Sequence, residues 1–255
     1  MTALFGLSLR TEEQCAFSPE LLPEFCRALE LPGTVLDSRA TEAWSGICED
    51  RGIAWGVRDL IDPALARTWT EADERVCLEA LRKLGDRAGA AWKHGAKWAS
   101  LDFDVAAAVS SAGVREKLFR LLRQTGGMLA RIAPKLTLFL PVRIPAPPGG
   151  SADPTALLNF CHALPLPGMH LVFELHPHEP GALDWQCGAG LRFESRNWRV
   201  CFHPSSGNYL KAEVLHRFFG DDDLPPEPLR ILFSPEGCVP DEFLFSQLAK
   251  AVYTV

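Results

Sequence analysis

At 255 residues, 47% hydrophobic and 23% charged, the chain has the size and composition of one large globular domain, and residues 1–255 are expected to form a single unit. A chain of this length can bury enough surface to fold without disulfides or a structural metal. Its net charge of -6 and the lack of a long basic run argue against a nucleic-acid partner, whose phosphates must be matched by Lys and Arg.

In chain order, the first apolar run is Leu4 to Arg10 (LFGLSLR), read as a strand. Ser18 as N-cap and Pro19 at the first helical position then open a helix. Its apolar residues Leu21, Leu22, Phe25 and Leu29 recur near helical spacing, and Pro32-Gly33 stops it. A second strand is expected at Thr34 to Arg39, a short helix at Thr41 to Asp50, and a third strand at Ile53 to Asp59. Thr70 starts a longer helix with Glu71, Asp73 and Glu74 in its first turn, where the helix dipole favours negative charge. It runs through Val76, Leu78, Leu81 and Leu84. The fourth strand is Trp98 to Asp104, and Val114 to Ile132 reads as an amphipathic helix weakened by Gly126-Gly127.

Strand five, Leu136 to Arg143, leads into a Pro- and Gly-rich loop that suits a lid, a rigid rim or a plain connector. Asp153-Pro154 opens a helix through Leu158 and Phe160, and strand six is His170 to His178. Leu183 to Gly188 reads as a short helical piece, followed by strand seven at Arg199 to Ser205 and a helix at Leu210 to Phe219. Strand eight, Arg230 to Glu236, is followed by a closing helix over Asp241 to Val252.

Eight strands alternating with helices predict an α/β fold, a (β/α)8 barrel, whose active sites lie at the strand carboxyl ends. No strand is followed by GxGxxG, which argues against a doubly wound dinucleotide-binding sheet. No apolar run approaches the ~20 residues of a transmembrane helix, so no membrane partner is expected. The N-terminus lacks a basic stretch followed by a long apolar one, as a leader would have. The eight cysteines include no CxxC and no zinc-finger spacing, which fits free thiols in a reducing compartment. A cytoplasmic location is the expectation.

Side chains alternate across a strand, so residues two apart share a face. Glu174, His176 and His178 then fall on one face with Val172; Cys201, His203 and Ser205 on another; Ser234 and Glu236 with Leu232; and Ser100, Asp102 and Asp104 on a fourth. The opposite faces carry Leu171, Phe173, Leu175, Val200, Phe202, Ile231, Phe233, Leu101 and Phe103, which suit packing against outer helices. The polar set is expected to point into the barrel mouth.

Glu, His and Asp converging on one point suit a divalent ion such as Zn, Mn, Fe or Co. Glu174, His203 and Glu236 would supply ligands from three adjacent strands, with His176 or Asp102 as a further ligand or supporting partner. The competing reading makes these hydrogen-bonded or capping residues. Arg10, Arg58 and Arg143 end strands one, three and five. They could grip an anionic or hydroxyl-rich ligand, or pair with Asp37, Asp59 and Asp104 as rim salt bridges. Ser205 to Asn208 offers either a phosphate cradle or a turn. The tryptophans offer either sugar-stacking surfaces or packing, with Trp185 the best stacking candidate. Cys201 has no base beside it in sequence and is read as packing.

With these residues in place, the chain resembles the xylose isomerase-like superfamily of sugar and sugar-phosphate isomerases and epimerases. The stretches carrying the resemblance are FELHPHE with Glu174, CFHPSSGN with His203 and FSPEG with Glu236. The resemblance implies a divalent metal held by carboxylates and a histidine at the ends of strands five to eight, with two carboxylates moving a proton next to a sugar carbonyl. Strand five here ends LFLPVRIP and carries no carboxylate, so either the strand register differs from this reading, or Glu174 takes the fifth-strand role, or the site is altered and inactive. The expected function is a metal-dependent isomerase or epimerase of a small carbohydrate. Glu236, with Glu174 or His176, would move the proton, and Arg10, Arg58, Arg143 and Asp102 would hold the ligand. The alternatives are a non-catalytic barrel binding a sugar-like ligand and a metal-assisted hydrolase of a small phosphoester.

Overall fold

Eight parallel strands, each hydrogen-bonded to the next in chain order, close into a barrel when the eighth pairs with the first. They are β1 (Ala3–Ser8), β2 (Ala28–Pro32), β3 (Ala54–Arg58), β4 (Trp98–Ser100), β5 (Thr137–Arg143), β6 (Met169–Leu175), β7 (Asn197–Phe202) and β8 (Leu229–Pro235). The structure is a computed structural model. It describes residues 3–37, 40–62, 65–66, 73–102, 108–109, 111–143, 159–160, 162–164, 169–177, 196–204 and 229–253. The expected helices at 153–160, 183–188 and 210–219 fall wholly or largely outside the described residues, as do His178, Asp104, Trp185 and Ser205 to Asn208.

Four α-helices are found among the described residues: α1 (Ala40–Asp50), α2 (Glu74–Lys93), α3 (Ala112–Ile132) and α4 (Glu242–Val252). The last three start at side-chain caps. Asp73 accepts from the Val76 amide, Ser111 from Val114 and Asp241 from Leu244, each satisfying an amide that has no partner within the helix. The sequence predicted α3 to be weakened at Gly126-Gly127, yet it runs unbroken, because Leu118, Leu121, Leu122, Thr125 and Leu129 bury one continuous stripe. No described helix is long and apolar enough to cross a membrane.

The second strand requires a correction. The segment Thr34 to Arg39 was expected to be a strand and Ser18 to Leu29 a helix. Instead, Gly33–Asp37 is a 3-10 turn, Pro19–Leu21 is another, and the strand is Ala28–Pro32. The apolar spacing of Leu22, Phe25, Cys26 and Leu29 imitates a helix, and all four are buried. Pro23, however, lacks an amide hydrogen and forces the preceding residue to be extended, as Leu22 is at ψ 130°. The chain then gains more by pairing Ala28, Leu29 and Glu30 with Gly6, Leu7 and Ser8 on one side, and Ala28 to Pro32 with β3 on the other. Gly33 follows because a side chain there would meet the Asp59 carbonyl oxygen at 2.5 Å.

Strand alternation divides the core in two. Leu101, Leu171, Phe173, Leu175, Val200, Phe202, Ile231 and Phe233 join the large cluster between barrel and helices, as the alternation predicts. Ala28, Trp98, Phe139, Val172 and Leu232 form a separate cluster on the opposite strand faces, inside the barrel. Gly56 leaves room for the Trp98 indole, because a Cβ there would lie 2.3 Å from it. The Arg230 guanidinium stacks 4.5 Å from the Trp98 ring and 5.5 Å from Phe139. Trp55, Trp98 and Trp198 are buried, which settles these three as packing residues.

Candidate functional site

Above the apolar plug, toward the strand carboxyl ends, the barrel is filled by buried polar side chains. Glu30 of β2 and Arg199 of β7 form a two-pronged pair, Nε to Oε2 at 2.8 Å and Nη2 to Oε1 at 2.6 Å. Arg199 Nη2 also donates to Ser100 Oγ at 2.9 Å, and Nη1 to Glu174 Oε1 at 3.1 Å. Arg58 donates to the same Glu174 oxygen at 2.9 Å and to Ser8 Oγ at 3.0 Å, and the Ser8 hydroxyl donates to Glu30 at 2.7 Å. Six residues from six strands thus meet in one closed network. Each strand supplies the residue two places beyond one of its inner, plug-level positions: Gly6 to Ser8, Ala28 to Glu30, Gly56 to Arg58, Trp98 to Ser100, Val172 to Glu174 and Asn197 to Arg199.

The charges in this layer are mutually fixed. Burial pushes the Glu174 carboxyl up, but Arg58 and Arg199, aided by Arg10 and His176, outweigh it and hold it at about 2. Glu30 is lowered in the same way: burial opposes, and the Arg199 charge and hydrogen bonds win. Arg199 is raised, the two glutamates overcoming the cost of burying it. Burial, then the Glu174 charge, pushes the Cys201 thiol up to about 12, so it stays protonated and is no nucleophile. Burial also raises Asp59, against the pull of Arg58, whose Nε lies 3.4 Å away. Asp59 adopts φ 53°, a conformation aspartate tolerates better than most residues.

At the mouth, Glu236 follows the end of β8. One of its carboxylate oxygens pairs with the Arg10 guanidinium, and the other lies 3.4 Å from His203 Nε2. These groups are open to solvent to different degrees, with side-chain exposures of 34% for Arg10, 16% for Glu236 and 52% for His203. Gln14, buried, ties the pair together. Its carbonyl accepts from the Arg10 amide at 2.6 Å, and its amide donates to the carbonyls of Pro235 at 2.7 Å and Cys238 at 3.1 Å. The Glu236 amide bonds to the Phe202 carbonyl at 2.8 Å, and Gly237 turns the chain at φ +72° beside the His203 ring.

The residues expected to hold one metal are therefore distributed over two levels. Glu174 lies in the buried layer with Arg58 and Arg199, while Glu236 and His203 face the mouth with Arg10. Among the described residues, the trio whose donor atoms all come within 4.8 Å of one another is Glu174, His176 and Cys201. Asp102 is half-buried just past β4. Arg143 ends β5 in register with Glu174, so β5 presents no carboxylate there. Arg58 pairs with Asp59, the rim partner expected for it, and also reaches inward to Glu174.

Two central residues, Arg199 and Glu30, escaped the sequence reading. Arg199 shares its face with Cys201 and His203, so strand alternation alone could have found it. Attention to the carboxyl ends passed over a residue near the amino end of β7. Glu30 was hidden by the misplaced second strand.

No family model and no curated protein matches the sequence. Solved structures match over nearly the whole chain. A 3-keto-D-glucoside 4-epimerase from E. coli superposes with TM-score 0.65 at 12% identity, covering 99% of this chain and all (100%) of that one. A D-tagatose 3-epimerase-like protein gives 0.61 at 11% identity, covering 98% and 94%. A GH18 chitinase from Pseudoalteromonas aurantia gives 0.58 at 10% identity, covering 100% and 99%. The chain has the barrel fold shared by xylose isomerase-like proteins and sugar epimerases. At these identities the likeness defines the fold, and the chemistry must be argued from the site.

Proposed function

We propose that the protein is an isomerase or epimerase of a small carbohydrate and that Glu236 at the barrel mouth moves the proton. The observation that carries this reading is the Glu236 carboxylate held between the Arg10 guanidinium and the His203 imidazole, at the end of the barrel where such folds bind substrate. A carboxylate within hydrogen-bond reach of a substrate can take a proton from the carbon beside a carbonyl. His203, more exposed than its partner, exchanges a proton with the substrate oxygen. Arg10 orients the Glu236 carboxylate and offers donors to a hydroxyl-rich ligand. Glu174 is not suited to carry the proton, because two guanidinium groups keep it ionised. It acts as a fixed charge beneath the site, with His176 beside it.

The cluster of Glu174, His176 and Cys201 supports a second reading, in which a Mn, Zn, Fe or Co ion binds there. Such an ion, when bound, would polarise a carbonyl or hydroxyl oxygen of the ligand. The donor set fits it poorly. Glu174 Oε1 already accepts from both guanidiniums, and the Cys201 thiol is pushed up to about 12 where a ligand must lose its proton.

The test is a turnover screen over small ketoses, aldoses and keto-glycosides, with and without added metal, on the natural protein and on Glu236→Gln. Interconversion that the variant loses by at least ~100-fold, with its fold intact, supports the proposal. Full activity in the variant would end it. Ligand binding without turnover in the natural protein would instead assign the non-catalytic barrel.

A further inference from the structure

We infer that the paired guanidiniums of Arg58 and Arg199 fill the place of a divalent cation beneath the mouth, so that this barrel handles its ligand without metal. The ligand chemistry in this inference rests on the reading of the mouth as a carbohydrate site; the exclusion of metal from Glu174 rests on the buried layer alone.

Glu174 Oε1 takes two hydrogen bonds from two different arginines, at 2.9 and 3.1 Å. An ion bonded to the Glu174 carboxylate would stand against two full positive charges in a region shielded from water, where charges are weakly screened. Neither arginine is free to withdraw. Arg199 is fully buried, and its Nε and both terminal nitrogens all donate, to Glu30, Ser100 and Glu174. Arg58 is nearly as buried, and its remaining nitrogens engage Ser8 and Asp59.

The charge balance points the same way. Glu30, Glu174 and Glu236 face Arg199, Arg58 and Arg10, three carboxylates against three guanidiniums. Asp59 adds one carboxylate on the outer side of Arg58. The pairs are thus close to neutral without a metal, and a dication bound to Glu174 would add two positive charges beside guanidiniums whose carboxylate partners are already matched. Among the described residues, the guanidinium beside Glu236 at the mouth is that of Arg10, which replaces an ion in polarising the ligand oxygen while Arg58 and Arg199 hold the floor.

The experiment needs no substrate. The full-length protein, its Cys201→Ser variant and its Glu174→Gln variant are dialysed against Mn2+, Zn2+ or Co2+ and analysed by elemental mass spectrometry. Cobalt-loaded natural protein is also examined by absorption spectroscopy. Little metal, or an amount equal in all three proteins, together with no thiolate-to-cobalt band that depends on Cys201, is the expected result. About one equivalent that falls at least ~10-fold in Cys201→Ser would overturn the inference. Cys201→Ser changes one atom and its fold is checked by circular dichroism, and the cobalt spectrum of the natural protein reports the site should either variant misfold. A turnover screen that finds no carbohydrate chemistry would defeat the functional reading and leave this inference standing. One equivalent of metal at Cys201 would do the reverse.

Discussion

Removing a single charge from the barrel interior should cost far more than removing one from its mouth. Arg199→Met strips the partner from Glu30, whose carboxylate is fully buried and would keep only the Ser8 hydroxyl. An orphaned buried charge typically costs about 3–5 kcal/mol. Arg10→Met breaks a pair whose arginine is one-third exposed, so water replaces much of what is lost and the cost should stay below about 1 kcal/mol. Urea unfolding of the two variants checks the contrast, and equal midpoints would refute it. The double variant Glu30→Met/Arg199→Met should recover part of the Arg199→Met loss, because it removes both charges together. The sequence already implied part of this result. Once β7 is known to point Cys201 inward, the same alternation points Arg199 inward, and a buried arginine requires a buried acid. What it could not show was which acid, since Glu30 comes from a strand 169 positions away along the chain.

At the scale of the elements, seven strands and α1 to α4 were legible because their signals are local: apolar runs that end in polar residues, and apolar residues at helical spacing. The second strand was not, because its evidence lies in its neighbours. ALELP reads as part of a helix until β1 and β3 supply partners for its backbone. The glycines show the same dependence on neighbours. Gly56 in β3 is an ordinary small residue by sequence, but Trp98 of β4 packs directly over it, and that indole is itself held by Phe139 at 6.0 Å and by Arg230. Gly56→Ala should therefore destabilise the protein by roughly 1–3 kcal/mol or more, as overpacking does in a core that cannot yield. Gly46→Ala in α1 meets nothing within 4 Å and should be neutral or stabilising by about 0.5–1 kcal/mol, since alanine is the better helix former. Thermal melts of the two variants compare them directly, and a Gly56→Ala protein as stable as Gly46→Ala would show that the plug is loosely packed.

For the whole molecule, the buried charge layer couples folding to pH. Glu174 has its folded value lowered from 4.5 to about 2, so the folded state holds the proton less tightly than the unfolded chain. Its contribution is then fully present above about pH 4.5 and is lost as pH falls toward about 2, with a magnitude of about 3 kcal/mol. Glu30 is shifted in the same direction and adds to the loss. Asp59 is shifted the other way, burial favouring its protonated form, and so offsets part of that loss on the acid side. The two glutamates bind the barrel across four strands, β2, β3, β6 and β7, so protonating them loosens contacts between distant parts of the chain rather than one loop. Acid unfolding should therefore be cooperative. Urea midpoints measured from about pH 7 down to about pH 2.5 should fall steeply below about pH 4.5, and the fall should be shallower in Glu174→Gln, which cannot titrate there. That variant starts from lower stability, because Arg58 loses a buried carboxylate partner, so the comparison is one of slopes. Parallel slopes would mean that the two guanidiniums do not hold Glu174 ionised, and the same result would remove the electrostatic basis for a metal-free floor.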